Sequence, residues 1–95
     1  MSPGRKDDTG KLRADLLAGY ISAILDECLV LSIGAKHYGD NNWQKVENAQ
    51  QRYLAALLRH LFAYMSGEKV DPDSGISHLA HIRCNAGFLD YFDKQ

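Results

Sequence analysis

The sequence has almost no excess of either charge: 11 Lys and Arg stand against 12 Asp and Glu, for a net charge of −1. That speaks against a general nucleic-acid binder, which carries a marked basic excess. A small phosphorylated ligand needs only a local cationic pocket and stays compatible. Cysteine is scarce: Cys28 and Cys84 are the only two. No C-x-x-C pair exists, which excludes a structural zinc built on thiolates. Both cysteines fall within apolar helical patterns and are expected as buried, reduced thiols of a cytosolic protein. No apolar run reaches the roughly 18–20 residues that cross a bilayer, and the N-terminus lacks a signal-peptide core. A soluble, cytoplasmic protein without a membrane partner is therefore expected. Also missing are a G-x-x-x-x-G-K-[ST] loop, a glycine-rich dinucleotide fingerprint and any sustained period-two alternation.

Apolar residues are plentiful, at 45% of a 95-residue chain. That excludes a disordered polymer and fits one domain. A chain this short buries only about 60–65% of its unfolded surface, so its core is marginal alone and oligomerisation is an inexpensive remedy. Residues 1–10, MSPGRKDDTG, read as a mobile polar arm, and residues 11–95 as one domain. Three stretches repeat apolar residues at steps of three and four. The first runs from about Ala14 to Ile33 through Leu17, Tyr20, Ile21, Ile24, Cys28 and Leu31, with Gly34 as its C-terminal cap. The second runs from about Glu47 to Ser66 through Leu54, Leu57, Leu58, Leu61, Phe62 and Met65, with Gly67 as its stop. The third runs from about Ser74 to Asp93 through Ile82, Ala86, Leu89 and Phe92, with Asp73 or Ser74 capping its first turn. The expected class is all-α: a small three-helix domain that assembles into a helical-bundle oligomer.

Several polar side chains fall where helices should pack. Glu27 has Ala23, Ile24, Val30 and Leu31 as helical neighbours. A carboxylate pointing to the packed side must find a cation or a donor, which leaves two readings, a metal ligand or an internal ion pair with an arginine. Asp26 lies on a more polar flank. His60 sits among Ala56, Leu57, Ala63 and Tyr64, where an imidazole serves as a ligand or as a satisfied core group. Its neighbour Arg59 suits either bidentate phosphate contact or a surface ion pair. His78, His81 and Asn85, at spacings of three and four, share one face of the third helix. Glu68, Asp71 and Asp73 come just before them. Two histidines with carboxylates can hold a divalent cation; acids at a helix start also complement its dipole.

The two connections, GAKHYGDNNW at 34–43 and GEKVDPDSG at 67–75, are polar and rich in capable side chains, as functional loops often are. Lys36 can neutralise phosphate, Asn42 can bond a base edge, and Tyr38 or Trp43 can stack on one. Trp43 has the competing role of a core plug.

Read together, KLRADLL at 11–17, GAKHYGDNNW at 34–43, LLRHLFAYMSGE at 57–68 and DPDSGISHLAHIRCN at 71–85 resemble the phage and prophage family called dATP/dGTP diphosphohydrolase, N-terminal domain. The resemblance covers roughly residues 11–92. It implies kinship with the all-α, MazG-like nucleoside triphosphate pyrophosphohydrolases. Where that group carries an E-E-x-x-E cluster, this chain has Asp26, Glu27 and then Val30, and its later helix offers His78 and His81. The matching motif positions include Lys11, Arg13 and Asp15, Lys36, Tyr38, Asn42 and Trp43, Arg59, His60 and Glu68, and Asp71, Ser74, His78, His81 and Asn85.

The resemblance implies hydrolysis of dATP or dGTP to monophosphate and pyrophosphate in the cytoplasm, the host's if the chain is phage-encoded. It further implies a divalent cation, Mg²⁺ first, with Mn²⁺ or another transition metal admitted by the histidines. The expected metal ligands are Glu27, Glu68, Asp71, Asp73, His78 and His81, with Glu27, His60, His78 and His81 as catalytic groups. Lys11, Arg13, Lys36, Tyr38, Asn42, Trp43, Arg59 and Asn85 are expected to bind substrate. A homo-oligomer, dimer or tetramer, is the expected assembly, and no nucleic-acid polymer is expected as a partner. The alternative is a non-catalytic helical module that binds nucleotide or serves assembly.

Overall fold

A computed structural model describes residues 3–95; Met1 and Ser2 of the expected arm lie outside the described residues. Residues 3–13 are exposed and form no helix. A 3₁₀ segment, Ala14–Tyr20, then leads into α1, Ile21–Tyr38. A second 3₁₀ turn, Asn42–Lys45, precedes α2, Ala49–Met65, and α3 is His78–Asp93. Among the described residues the only β-type pairing is one antiparallel bridge, Val70 to Ser77. The all-α, three-helix expectation holds.

The helix ends differ from the expected ones for local reasons. α1 passes through Gly34 and stops at Gly39, whose φ of 95° suits glycine and whose N–H reaches the Ala35 carbonyl. A glycine costs only about 1 kcal/mol inside a helix, so Gly34 alone does not end one. α2 stops at Gly67, as expected. There Glu68 N–H bonds to Ala63 O and Gly67 N–H to Tyr64 O, both at 3.0 Å, the Schellman pattern. α3 starts at His78, capped by the Ser77 hydroxyl accepting from Leu79 N–H at 3.1 Å. Asp73 and Ser74, the expected caps, belong to the preceding turn.

α3 packs against both α2 and α1, more extensively against α2. An aromatic cluster anchors one end. The Trp43 ring stacks on Phe88 at 4.4 Å and meets Tyr91 edge-on at 4.9 Å. The Tyr53 hydroxyl donates to the Trp43 carbonyl at 2.8 Å. At least one of the two roles open to Trp43, that of a plug, is thereby filled.

The chain is open for its length. Its radius of gyration is 17.3 Å, against about 12 Å for a compact domain of this size. Among the described residues no large side chain is fully buried. Leu16, Ile21, Leu25 and Leu29 of the first segment, and Leu54, Phe62 and Met65 of α2, are exposed. The packing face of α1 instead carries half-buried Ala23, Ile24, Glu27 and Val30. Cys28 is exposed and Cys84 buried, which corrects the expectation of two buried thiols.

By length and composition alone, Ala14–Tyr38 is apolar enough to cross a membrane, with a mean hydropathy of 1.8. This corrects the expectation that no apolar run is long enough to cross a bilayer: Asp26 and Glu27 interrupt the stretch without lowering its average hydropathy enough to rule it out. An aspartate at mid-bilayer costs about 2.5–3.5 kcal/mol, and Glu27 is engaged with α3 through Arg83. Those are features of a helix in a bundle.

Candidate metal centre and the groove beside it

The connection from α2 to α3 folds back on itself. Lys69 O accepts from His78 N–H at 3.0 Å, Asp71 N–H donates to Ile76 O at 2.9 Å, and Gly75 N–H donates to Asp71 O at 2.8 Å. Gly75, at φ 74°, closes the turn, and Ile76 is buried beneath it. Asp71 organises the turn through its side chain, accepting from Asp73 N–H at 3.2 Å and from the Ser74 hydroxyl at 3.1 Å. The result brings Glu68, Asp71 and Ser74 against the first turn of α3, facing His60 from α2.

Two linked sets of contacts follow. In one, Glu68 Oε1 lies 2.7 Å from His78 Nε2, and His78 Nδ1 lies 2.8 Å from His60 Nδ1. In the other, His81 Nε2 lies 2.7 Å from Ser74 Oγ and 3.5 Å from Asp71 Oδ2. The His60 and His81 rings stack at 4.4 Å, joining the sets. His78 is only 3% exposed. Every buried side-chain nitrogen and oxygen among the described residues has a partner.

One donor atom each from His60, Asp71 and His81 lies within 4.8 Å of the others, the sole such trio among the described residues. Burial lowers the His60 pKa, helped by the nearby charges of His81, His78 and Arg59 and opposed by Asp71. Burial likewise lowers that of His81, against the pull of Asp71. For Asp71, burial pushes upward but is outweighed by hydrogen bonds from Asp73 and Ser74 and by the histidines, so its carboxyl sits below the ordinary value. Neutral imidazoles and an ionised carboxylate are the forms that bind a cation.

The other expected ligands go elsewhere. Glu27 accepts from Arg83 Nε at 2.9 Å, the ion pair that competed with the metal-ligand reading, and it stands outside the trio. Glu68 and His78 are turned to each other. Asp73 is exposed and contributes its backbone N–H to the turn. Ser74, which links Asp71 to His81, was absent from the expected site; the D-x-x-S spacing of a side-chain turn ahead of H-x-x-H was its signal.

α1 and α2 leave a groove of about 1080 Å³ between them, floored by α3. Glu27, Tyr38, Asn42, Trp43, Arg59 and Asn85 all line it. Arg59 immediately precedes His60 on α2, and Asn85, one turn beyond His81, donates to the His81 carbonyl at 2.9 Å; the histidines themselves are not among the residues that line the groove. Lys11, Arg13 and Lys36 do not line it. Lys11 and Lys36 are exposed, and Arg13 forms a bidentate surface pair with Asp15 at 2.8–2.9 Å.

The structure thus defines a small all-α protein with a histidine–carboxylate group and, separately lined, a largely apolar groove. The chain belongs to the family described as dATP/dGTP diphosphohydrolase, N-terminal, which matches residues 1–95. A Salmonella phage PMBT28 protein named dATP/dGTP diphosphohydrolase is 30% identical over 86 residues, 90% of this chain and 28% of that relative. The chain therefore spans under a third of the curated relative it matches. No solved structure matches it.

Proposed function

We propose that this chain acts in metal-dependent hydrolysis of dATP or dGTP to the monophosphate and pyrophosphate, with His60, Asp71 and His81 holding the cation. The trio carries the reading; family membership supports the reaction class.

The residues fit a cation. Metal–ligand bonds of about 2.0–2.2 Å imply ligand–ligand edges of about 3–3.5 Å, and His81 Nε2 to Asp71 Oδ2 is 3.5 Å; a cation there would take the place of the Nε2 proton that bonds the Ser74 hydroxyl, whose own proton goes to Asp71. Two imidazoles and one carboxylate suit Mn²⁺, Fe²⁺, Co²⁺ or Zn²⁺ better than Mg²⁺, which prefers oxygen ligands. A cation bound there supplies a more acidic water and a Lewis acid toward phosphate oxygens.

The chain's own residues do the rest. Arg59 makes no ion pair among the described residues, so its guanidinium is available to offset charge on the phosphates. Asn42 and Tyr38 face the groove where a purine would lie, and Trp43, already stacked on Phe88, forms its wall. Water adds to the α-phosphorus, the bond to the α–β bridging oxygen breaks, and pyrophosphate leaves with that oxygen.

The exposed apolar faces of α1 and α2 support a homo-oligomer, dimer or tetramer; the phage relative supports action in the cytoplasm, the host's if the chain is phage-encoded. The chain's small share of its relative favours a second reading, a nucleotide-binding module without turnover.

The test is incubation with each dNTP and Mn²⁺, Co²⁺, Zn²⁺ or Mg²⁺, followed by ³¹P NMR. Monophosphate and pyrophosphate are expected; inorganic phosphate as the first product overturns the reaction. A melting shift with dNTP but no product selects the binding module.

A further inference from the structure

We infer that Glu68 and His78 are positioning residues that fix the tautomer of His60, leaving its Nε2 as the unprotonated nitrogen open to a cation. The inference rests on the metal-binding reading of the trio but is carried by hydrogen-bond direction.

An ionised carboxylate only accepts hydrogen bonds. The proton in the 2.7 Å contact between Glu68 Oε1 and His78 Nε2 therefore belongs to His78 Nε2. A neutral imidazole carries one N–H, so His78 Nδ1 is an acceptor. Its partner at 2.8 Å is His60 Nδ1, which must then be the donor. Neutral His60 has spent its N–H, and its Nε2 keeps a free lone pair. That is the form a metal ligand needs. Outer groups that hold ligand imidazoles in one tautomer usually contribute 10- to 100-fold in metal affinity.

The arrangement also explains why a carboxylate half exposed to solvent is joined to one of the most buried side chains. His78, 3% exposed, transmits the direction set at the surface to the ring of His60. The Glu68 backbone is held by the Schellman closure after α2, and the His78 backbone by its bond to Lys69, so neither partner drifts.

The test has two arms on the full chain. In the metal-free protein, long-range ¹H–¹⁵N correlation spectra report each imidazole tautomer: His60 protonated at Nδ1 and His78 at Nε2 are expected, and His60 protonated at Nε2 overturns the inference. In the second arm, Co²⁺ alone is titrated and followed by visible absorption. Glu68→Ala should weaken binding about 10- to 100-fold; Glu68→Gln, whose Oε1 still accepts, should stay within about threefold of wild type. Unchanged affinity in Glu68→Ala, or equal loss in both variants, overturns the inference. If Glu68→Ala does not fold, the wild-type tautomers decide. Wild-type protein that binds no Co²⁺ sinks the metal reading, while the spectra still judge the tautomer.

Discussion

The imidazole rings of His60 and His81 lie face to face, 4.4 Å between centroids and 3° from parallel, though they come from different helices. Two full charges at about 4 Å repel by about 4 kcal/mol at the effective dielectric of a protein surface. The pair therefore resists double protonation, and the fold holds a neutral, nitrogen-rich surface beside an ionised Asp71.

Acid should weaken the fold through this pair. Burial lowers both histidines below the ordinary imidazole value of 6.5, so below that pH the unfolded chain binds more protons than the folded one. Stability is then present above about pH 6.5 and is lost as pH falls through the depressed folded values. Urea midpoints at pH 7.5 and 5.5 should show the drop, and His60→Gln should shrink it. A midpoint that rises on acidification contradicts the assignment.

Metal should reverse that weakness. Zn²⁺ or Co²⁺ in excess should raise the melting temperature, because it binds the folded trio, and a chelator should restore the original value. His81→Ala and Asp71→Asn should abolish the shift; Glu27→Gln should keep it. A shift lost in Glu27→Gln would return that carboxylate to the ligand set.

Glu27 and Arg83 should couple weakly. Their contact is 2.9 Å, but the side chains are 28% and 36% exposed, so solvent screens them. Arg83 also lies 5.4 Å from the Tyr20 ring. A double-mutant cycle on urea melts should give about 0.5–1 kcal/mol. A coupling of zero would mean that packing alone holds α1 on α3.

Trp43 should be the most sensitive position of the aromatic end. Trp43→Ala removes the stack on Phe88 and the edge contacts to Tyr91 and Phe92. Large-to-small changes of this kind cost about 3–5 kcal/mol when buried. For half-buried Trp43 about 3 kcal/mol is expected, enough to unfold much of so open a chain. Trp43→Phe, which keeps an aromatic ring against Phe88, should recover most of the loss. Circular dichroism melts decide, and a cost under about 1 kcal/mol would free Trp43 for a purely binding role.

The two thiols should differ sharply. Burial, with the nearby Glu27 charge, pushes Cys84 up to about 12, whereas Cys28 is exposed. Iodoacetamide at pH 8 should modify Cys28 in the native protein and reach Cys84 only in denaturant, as read by peptide mass. Equal labelling would show that α1 leaves α3 readily.

Much of the fold is visible in the residues themselves. Apolar steps of three and four mark all three helices, Gly67 marks the end of α2, and the spacing of His78, His81 and Asn85 puts them on one face of α3. Less visible is the site's division of labour. Glu27 reads equally as a ligand or an ion-pair partner until Arg83 is found beside it. Glu68 and His78 read as ligands from spacing alone, which does not reveal that the fold turns them to each other. Lys11, Arg13 and Lys36 carry the right charge for phosphate, yet none lines the groove.

Chain-local physics fixed what the sequence determined: helical periodicity, the turn that Gly75 permits, and the neighbourhood of Asp71 to Ser74 depend on residues a few positions apart. Only the tertiary structure decided that His60 joins His81 and Asp71, that Glu27 joins Arg83, and which face of α1 packs, since these depend on how α1 and α2 dock on α3. A side chain several residues from its partner along one helix meets it by geometry alone; partners on different helices meet only where packing brings their backbones together.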